Sequence, residues 1–274
     1  MLFTTPGIEE FLCGVILFDE SVRQNLQKFL EEKGIVPGIK VDGGLEPFNE
    51  TEEQITKGLE GLGNRLKEYS TFGLKFSKWR AAIKISDIFP SDAFLEEDLN
   101  RMTSFAKISM EFGFVPIVEP EVLLDGNHTT TRCAEISVKV WKILFGKLKA
   151  ANVDLKNLIL KTNMVLPGKD NGVKAAPLEV AEITLRSLKE SVPGETGGIV
   201  FLSGGQTPDE ATNNLNEIVK RKADAPWPLS FSYSRALQAE AMRLWSGKDE
   251  NRQSAQEIFL DRLIKVSKAR KGEL

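Results

Sequence analysis

Histidine is almost missing from this sequence: His128 is the only one among 274 residues. A metal centre built on two or more imidazoles is thereby excluded, and a Ser-His-Asp triad fits poorly. His128 itself lies in Asp125-Gly126-Asn127-His128-Thr129, a turn-forming stretch that reads as loop structure. Cysteine is nearly as scarce. Cys13 and Cys133 stand alone without CxxC spacing and read as free thiols of a cytoplasmic protein. No apolar run reaches 18 residues, so no membrane span is predicted, and the N-terminus lacks the basic-then-apolar pattern of a secretion signal. There is no excess of positive charge. A net charge of −3 provides no field to draw nucleic acid or anionic membrane. Internal repeats, low-complexity tracts and domain-splitting linkers are absent as well.

What is present is a regular alternation of short apolar runs and amphipathic stretches. Strands are predicted over 14–18, 35–41, 72–82, 114–121, 157–166, 198–206 and 229–235. A short helix is expected at 8–12. Longer ones are expected over 19–33, 50–69, 91–112, 130–152, 177–191, 207–222, 236–245 and 251–270. The helix at 50–69 rests on Ile55, Leu59, Leu62, Leu66 and Tyr69, spaced by three and four. Ser91 reads as an N-cap, and Thr207-Pro208-Asp209-Glu210 as a capping box. About seven strand-then-helix units joined by short loops define parallel α/β, and this length points to a TIM (β/α)8-type barrel. About seven of its eight strands are visible, within a single incomplete domain, 1–274.

In such a barrel the chemistry gathers at the C-terminal ends of the strands. The stretch around Lys161 therefore carries most weight. Leu158, Ile159 and Leu160 precede the lysine, Met164, Val165 and Leu166 follow it, and Pro167-Gly168 stops the run. An amine desolvated in that setting needs a partner or serves as a nucleophile toward carbonyls. The alternative is a lysine whose head snorkels to solvent. Alternation over 72–82 places Lys78 and Arg80 on one face with Leu74 and Phe76, opposite Ser77, Trp79 and Ala81. The next strand puts Glu119 and Glu121 on one face, and Lys40 lies between Ile39 and Val41. Together these make one mouth: an amine nucleophile (Lys161), neighbouring cations (Lys40, Lys78) and a carboxylate for proton transfer (Glu119). Ser203-Gly204-Gly205 before a helix start presents unobstructed N–H groups of the kind that receive a phosphate, and Arg235 after the following strand can clamp it. Ser232 lies between them in the chain. The residues point to Schiff-base chemistry on a phosphorylated sugar, with neither metal nor cofactor.

Seven ordered motifs carry a family resemblance: Gly14-Val-Ile-Leu-Phe18, Gly38-Ile-Lys-Val-Asp42, Phe76-Ser-Lys-Trp-Arg80, Val115-Pro-Ile-Val-Glu-Pro-Glu121, Leu160-Lys-Thr-Asn-Met-Val-Leu-Pro-Gly168, Phe201-Leu-Ser-Gly-Gly-Gln206 and Phe231-Ser-Tyr-Ser-Arg-Ala-Leu237. In them the chain resembles the class I (Schiff-base) fructose-1,6-bisphosphate aldolases along nearly its whole length. The resemblance implies that Lys161 forms the imine with dihydroxyacetone phosphate. It implies that Glu119 is the general acid/base for the carbinolamine and that Lys78 assists C–C cleavage. Arg80 and Lys40 then line the site, Glu121 organises it, and Ser203, Gly204, Gly205, Ser232 and Arg235 bind the ketose 1-phosphate. A homotetramer is implied as the assembly, and glycolysis and gluconeogenesis as the setting.

Thr162 and Ser234 stand where the family usually has Pro and Gly, and Gly43 where it usually has Lys. The family's first βα unit, with its Ala-Asp-Glu-Ser strand, has no counterpart, so an N-terminally truncated enzyme is expected. Two other readings stay open at this point. One is a Schiff-base aldolase for a different sugar phosphate. The other is a non-catalytic or truncated homologue that only binds a phosphorylated sugar or a partner.

Overall fold

A computed structural model describes residues 1–274. Its centre is a sheet of seven strands: β1 (Gly14–Leu17), β2 (Val36–Lys40), β5 (Phe76–Ile83), β6 (Val115–Val122), β7 (Ile159–Thr162), β8 (Gly198–Phe201) and β9 (Leu229–Phe231). They run in that spatial order, and every neighbouring pair is parallel. Helices return the chain after each strand: α1 (Asp19–Arg23), α2 (Gln27–Glu31), α3 (Leu62–Thr71), α4 (Asp92–Glu111), α5 (Thr130–Ala150), α6 (Pro177–Ser191), α7 (Pro208–Lys220), α8 (Arg235–Trp245) and α9 (Arg252–Lys271). Strand order follows chain order, as in a TIM-type α/β wall. The ends of the sheet, β1 and β9, do not pair with each other.

Side-chain alternation decides what faces the helices and what faces the interior. Trp79 is fully buried and stacks on Phe105 of α4 at 5.6 Å, while the Ser77 hydroxyl donates to Ser109 Oγ on the same helix at 2.9 Å. Their chain neighbours Phe76, Lys78 and Arg80 take the opposite face, as the alternation predicts. At the N-terminal end of the wall the Phe76 ring lies over Gly14 and Gly38. A methyl at Gly38 would come within 2.2 Å of it, so this floor needs glycine for close approach rather than for backbone conformation.

Three expectations need correction. Residues 50–69 are not one helix. Leu45–Pro47 (β3) and Gln54–Thr56 (β4) form an antiparallel hairpin, and the helix begins only at Leu62. Ile55 is buried as a strand residue, and Gly58 (φ 117°) and Gly61 (φ 64°) turn the chain before α3. The predicted helix over 19–33 breaks into α1 and α2, with Asn25 at φ 60° between them. Strands are shorter than the apolar runs that announced them: β7 ends at Thr162, β8 at Phe201 and β9 at Phe231. Met164, Val165 and Leu166 are buried beyond the strand, where the Val165 N–H donates to Thr184 Oγ1 of α6 at 3.0 Å.

The caps stand as predicted. Ser91 Oγ accepts from the Phe94 N–H, and its own N–H and hydroxyl donate to the buried Glu53 carboxylate in the loop between β3 and β4. Thr207 and Glu210 make the reciprocal box at the start of α7.

Candidate active site

A cavity of about 570 Å³ opens among the strands, lined by Lys40, Lys78, Arg80, Glu119, Lys161 and Ser232 together with apolar side chains of β1, the N-terminal turns and α9. The charged residues come from consecutive strands. β2 supplies Lys40, β5 supplies Lys78 and Arg80, β6 supplies Glu119, and β7 supplies Lys161. The register of β5 on β6 sets Arg80 beside Glu119 and Ala82 beside Glu121.

Glu119 is the hub. Its side chain is 5% exposed, with Oε1 at 3.0 Å from Lys161 Nζ and Oε2 at 2.9 Å from Lys78 Nζ. Burial by itself pushes this carboxyl up. The two ammonium groups outweigh burial and hold it below the usual carboxylate range. Glu119 is therefore ionised near neutrality, and the Lys161 amine lies against one of its oxygens. Of the groups expected around Lys161, the carboxylate Glu119 is its immediate partner, and the cation Lys78 lies on the far side of that carboxylate. Stripping one partner from such a buried set leaves an uncompensated charge, worth about 3–5 kcal/mol.

Arg80 Nε donates to Glu121 Oε2 at 2.5 Å, so the second carboxylate is paired rather than solvated. Burial pulls the guanidinium down, but Glu121, Glu119 and Asp42 together raise it. Glu121 also touches the turn after β8: a methyl on Gly204 would come within 2.7 Å of Glu121 Oε1. Ser203, Gly204 and Gly205 stand on that turn, leading into the N-terminus of α7. Neither they nor Arg235 line the main cavity. Arg235 is exposed as the first residue of α8, because the predicted strand ends four residues before it. Gly205, at φ 76°, borders a second hollow of about 290 Å³ together with Gln206, Lys169 and Lys174. The amine–carboxylate group is thus assembled in one place; of the candidate phosphate residues, Ser232 lines the same cavity and Gly205 borders the second hollow.

Thr162 points away from the site. It is fully buried on the helix-facing side, where its hydroxyl accepts from the Trp141 indole N–H at 3.2 Å. His128 is a loop residue but a buried one; neither ring nitrogen finds a partner, and burial pushes its pKa down. One residue escaped the sequence reading. Asp42, just beyond β2, contacts both Lys40 and Lys78. It follows a strand and precedes Gly43-Gly44, so its signal is that of an ordinary turn residue.

A wall of parallel strands with helices outside, and an interior lysine set against a carboxylate at the strand C-termini, defines the barrel lyases that work through an amine on a carbonyl substrate. The family model described as fructose-bisphosphate aldolase class-I matches residues 1–274, and the chain belongs to that family. It is 43% identical to "Fructose-bisphosphate aldolase 4, cytosolic" of Arabidopsis thaliana, across 99% of this chain and 71% of that one. It is 44% identical to "Probable fructose-bisphosphate aldolase class 1" of Xanthomonas campestris, across 96% of this chain and 80% of that one. A solved structure of the Plasmodium falciparum fructose-bisphosphate aldolase, in complex with TRAP and a small-molecule inhibitor, superposes with a TM-score of 0.96 at 40% identity. It covers 99% of this chain and 81% of that one.

Proposed function

We infer that the chain is a lyase catalysing the reversible aldol cleavage of fructose 1,6-bisphosphate to dihydroxyacetone phosphate and glyceraldehyde 3-phosphate, in glycolysis and gluconeogenesis. The observation that carries the reading is Glu119 in contact with both Lys161 and Lys78 on the floor of one cavity. Lys161 passes a proton to Glu119, and its free amine attacks the C2 carbonyl of the ketose. Glu119 returns the proton as the carbinolamine loses water, giving the protonated imine. Loss of the C4 hydroxyl proton then breaks the C3–C4 bond and releases the aldehyde. The bonding electrons pass into the imine as an enamine. Protonation of C3 and hydrolysis return the lysine and dihydroxyacetone phosphate.

Lys78 is the cation beside the bond that breaks. Arg80 and Glu121 brace one another, and Lys40 lines the entrance. Ser203, Gly204, Gly205, Ser232 and Arg235 receive the 1-phosphate, with the N–H groups of a glycine turn suited to an anion. We assign the chain to the cytoplasm. The Arabidopsis relative is named as cytosolic, and no helix of this chain is long and apolar enough to cross a membrane. A homotetramer belongs to the same reading.

The test is trapping. The protein is incubated with dihydroxyacetone phosphate, reduced with borohydride, and the adduct is located by peptide mass mapping. A stoichiometric adduct on Lys161 is expected. A well-folded sample that yields none, or an adduct on another lysine, would overturn the reading.

A further inference from the structure

Asp42 takes no part in the steps above, yet it contacts three residues at the mouth. Its side chain is 5% exposed. Oδ1 lies 2.5 Å from Lys40 Nζ, Oδ2 lies 3.5 Å from Lys78 Nζ, and Oδ2 accepts from the Arg80 N–H at 3.3 Å. Its loop is locked in place. The Val41 N–H donates to the Lys78 carbonyl at 3.0 Å, and the Gly43 N–H to the Lys57 carbonyl at 2.7 Å. Arg65 of α3 donates to the carbonyls of Val41 and Gly58. Only glycine fits at position 58, where φ is 117° and a methyl would come within 2.6 Å of the Gly43 nitrogen. A surface aspartate with one lysine partner would need none of this support.

The result is a row of alternating charge across four strands: Lys40, Asp42, Lys78, Glu119, Lys161. Lys78 is shared, 2.9 Å from Glu119 and 3.5 Å from Asp42. With Asp42 neutral, Glu119 would be the only anion left to Lys78, and the carboxylate would be drawn from Lys161 toward Lys78. We propose that Asp42 is a positioning residue for the reaction: it shares the Lys78 ammonium with Glu119 and sets the field in which Glu119 and Lys161 exchange a proton. The inference rests on the aldolase reading above.

The charged groups around Asp42 are Lys40 from β2, Lys78 and the Arg80 guanidinium from β5, and Arg65 of α3 beside the loop; Glu119 and Lys161 follow through Lys78. Removing a negative charge favours the deprotonated form of every group in the row, and removing a positive charge does the reverse. Asp42→Asn should therefore displace the pH profile of adduct formation at Lys161 toward lower pH by about one unit. It should also slow trapping about 10–100-fold at neutral pH, the scale of a small misplacement of reacting groups. Lys40→Met should displace the profile the other way. The experiment measures borohydride-trapped dihydroxyacetone phosphate on Lys161 against pH, at saturating ligand, for the wild type and both variants. Opposite displacements establish the role. An Asp42→Asn profile that superimposes on the wild type, at whatever rate, overturns it while leaving the aldolase reading intact. No adduct on the wild type at any pH overturns both. If Asp42→Asn fails to fold, Lys40→Met decides alone: a profile moved to higher pH supports the role, and an unmoved one removes it.

Discussion

Glu119 offers one carboxylate oxygen to each of two lysines, and the proposed chemistry runs through it. Glu119→Gln keeps the shape and removes the charge. The proton acceptor is lost, so imine formation should slow by about 10²–10⁴-fold, the usual worth of a positioned acid/base. Lys161 would also lose its counter-charge and Lys78 would keep only Asp42, so the melting temperature should fall as well. Stopped trapping experiments give the rate and calorimetry the stability. A variant that traps dihydroxyacetone phosphate within a few-fold of the wild-type rate would strip Glu119 of its proton-transfer role.

Among the secondary-structure elements, the hairpin and α4 form the joint most sensitive to pH. Asp98 of α4 accepts from the Thr56 N–H of β4 at 3.0 Å, and its second oxygen is buried without a partner. Burial pushes its carboxyl up from 3.8 to about 6, against the pull of the Thr56 N–H. Between those two values the unfolded chain has released a proton that the folded chain still holds. Stability from this group is therefore lost as pH rises across the window, by ~3 kcal/mol at most, from about 1.4 kcal/mol per unit. Asp98→Asn removes the titration. Its melting temperature relative to wild type should climb by several degrees between pH 4 and pH 6.5. A difference that stays constant across that range would count against the assignment.

The same joint shows where sequence reading succeeds and where it stops. Strands β5 to β8 were legible because buried parallel strands are short and apolar, and the polar residues that interrupt them alternate strictly: Lys78 and Arg80 inward, Ser77 and Trp79 outward. That alternation also brought Lys161, Glu119 and Lys78 together on paper. The hairpin was misread because Ile55 continues the three-and-four spacing of α3 by coincidence, while Gly58 and Gly61 mark the break. Asp42 was missed for a different reason. Its importance comes from a loop folded back by Arg65 and Lys57, and no local pattern encodes a contact that a distant helix creates. Arg235 and the Ser203–Gly205 turn are legible as polar residues after strands, but β8 and β9 end before them and they lie outside the main cavity.

For the whole molecule, the proposed homotetramer makes a direct prediction. Light scattering of the purified chain should return about four times the 30.5 kDa of one copy, independent of dilution in the micromolar range. A mass equal to one copy would remove that part of the reading, and it would leave the chemistry on Glu119 and Lys161 untouched.

The order of the seven strands has a mechanical consequence. β5 and β6 are paired over eight residues in the middle of the sheet, while β9 is three residues long, and the outer edges of β1 and β9 lack a strand neighbour within the sheet. Local opening is governed by such differences, so backbone amides at the centre exchange with solvent last and those at the two margins first. Lys78, Glu119 and Lys161 are anchored on the stiff middle, whereas Ser232 and Arg235 ride on the yielding margin. The lysine–carboxylate half of the pocket is thus held still while the side carrying Ser232 is free to adjust around it, a division of compliance that the linear strand order builds into the polypeptide.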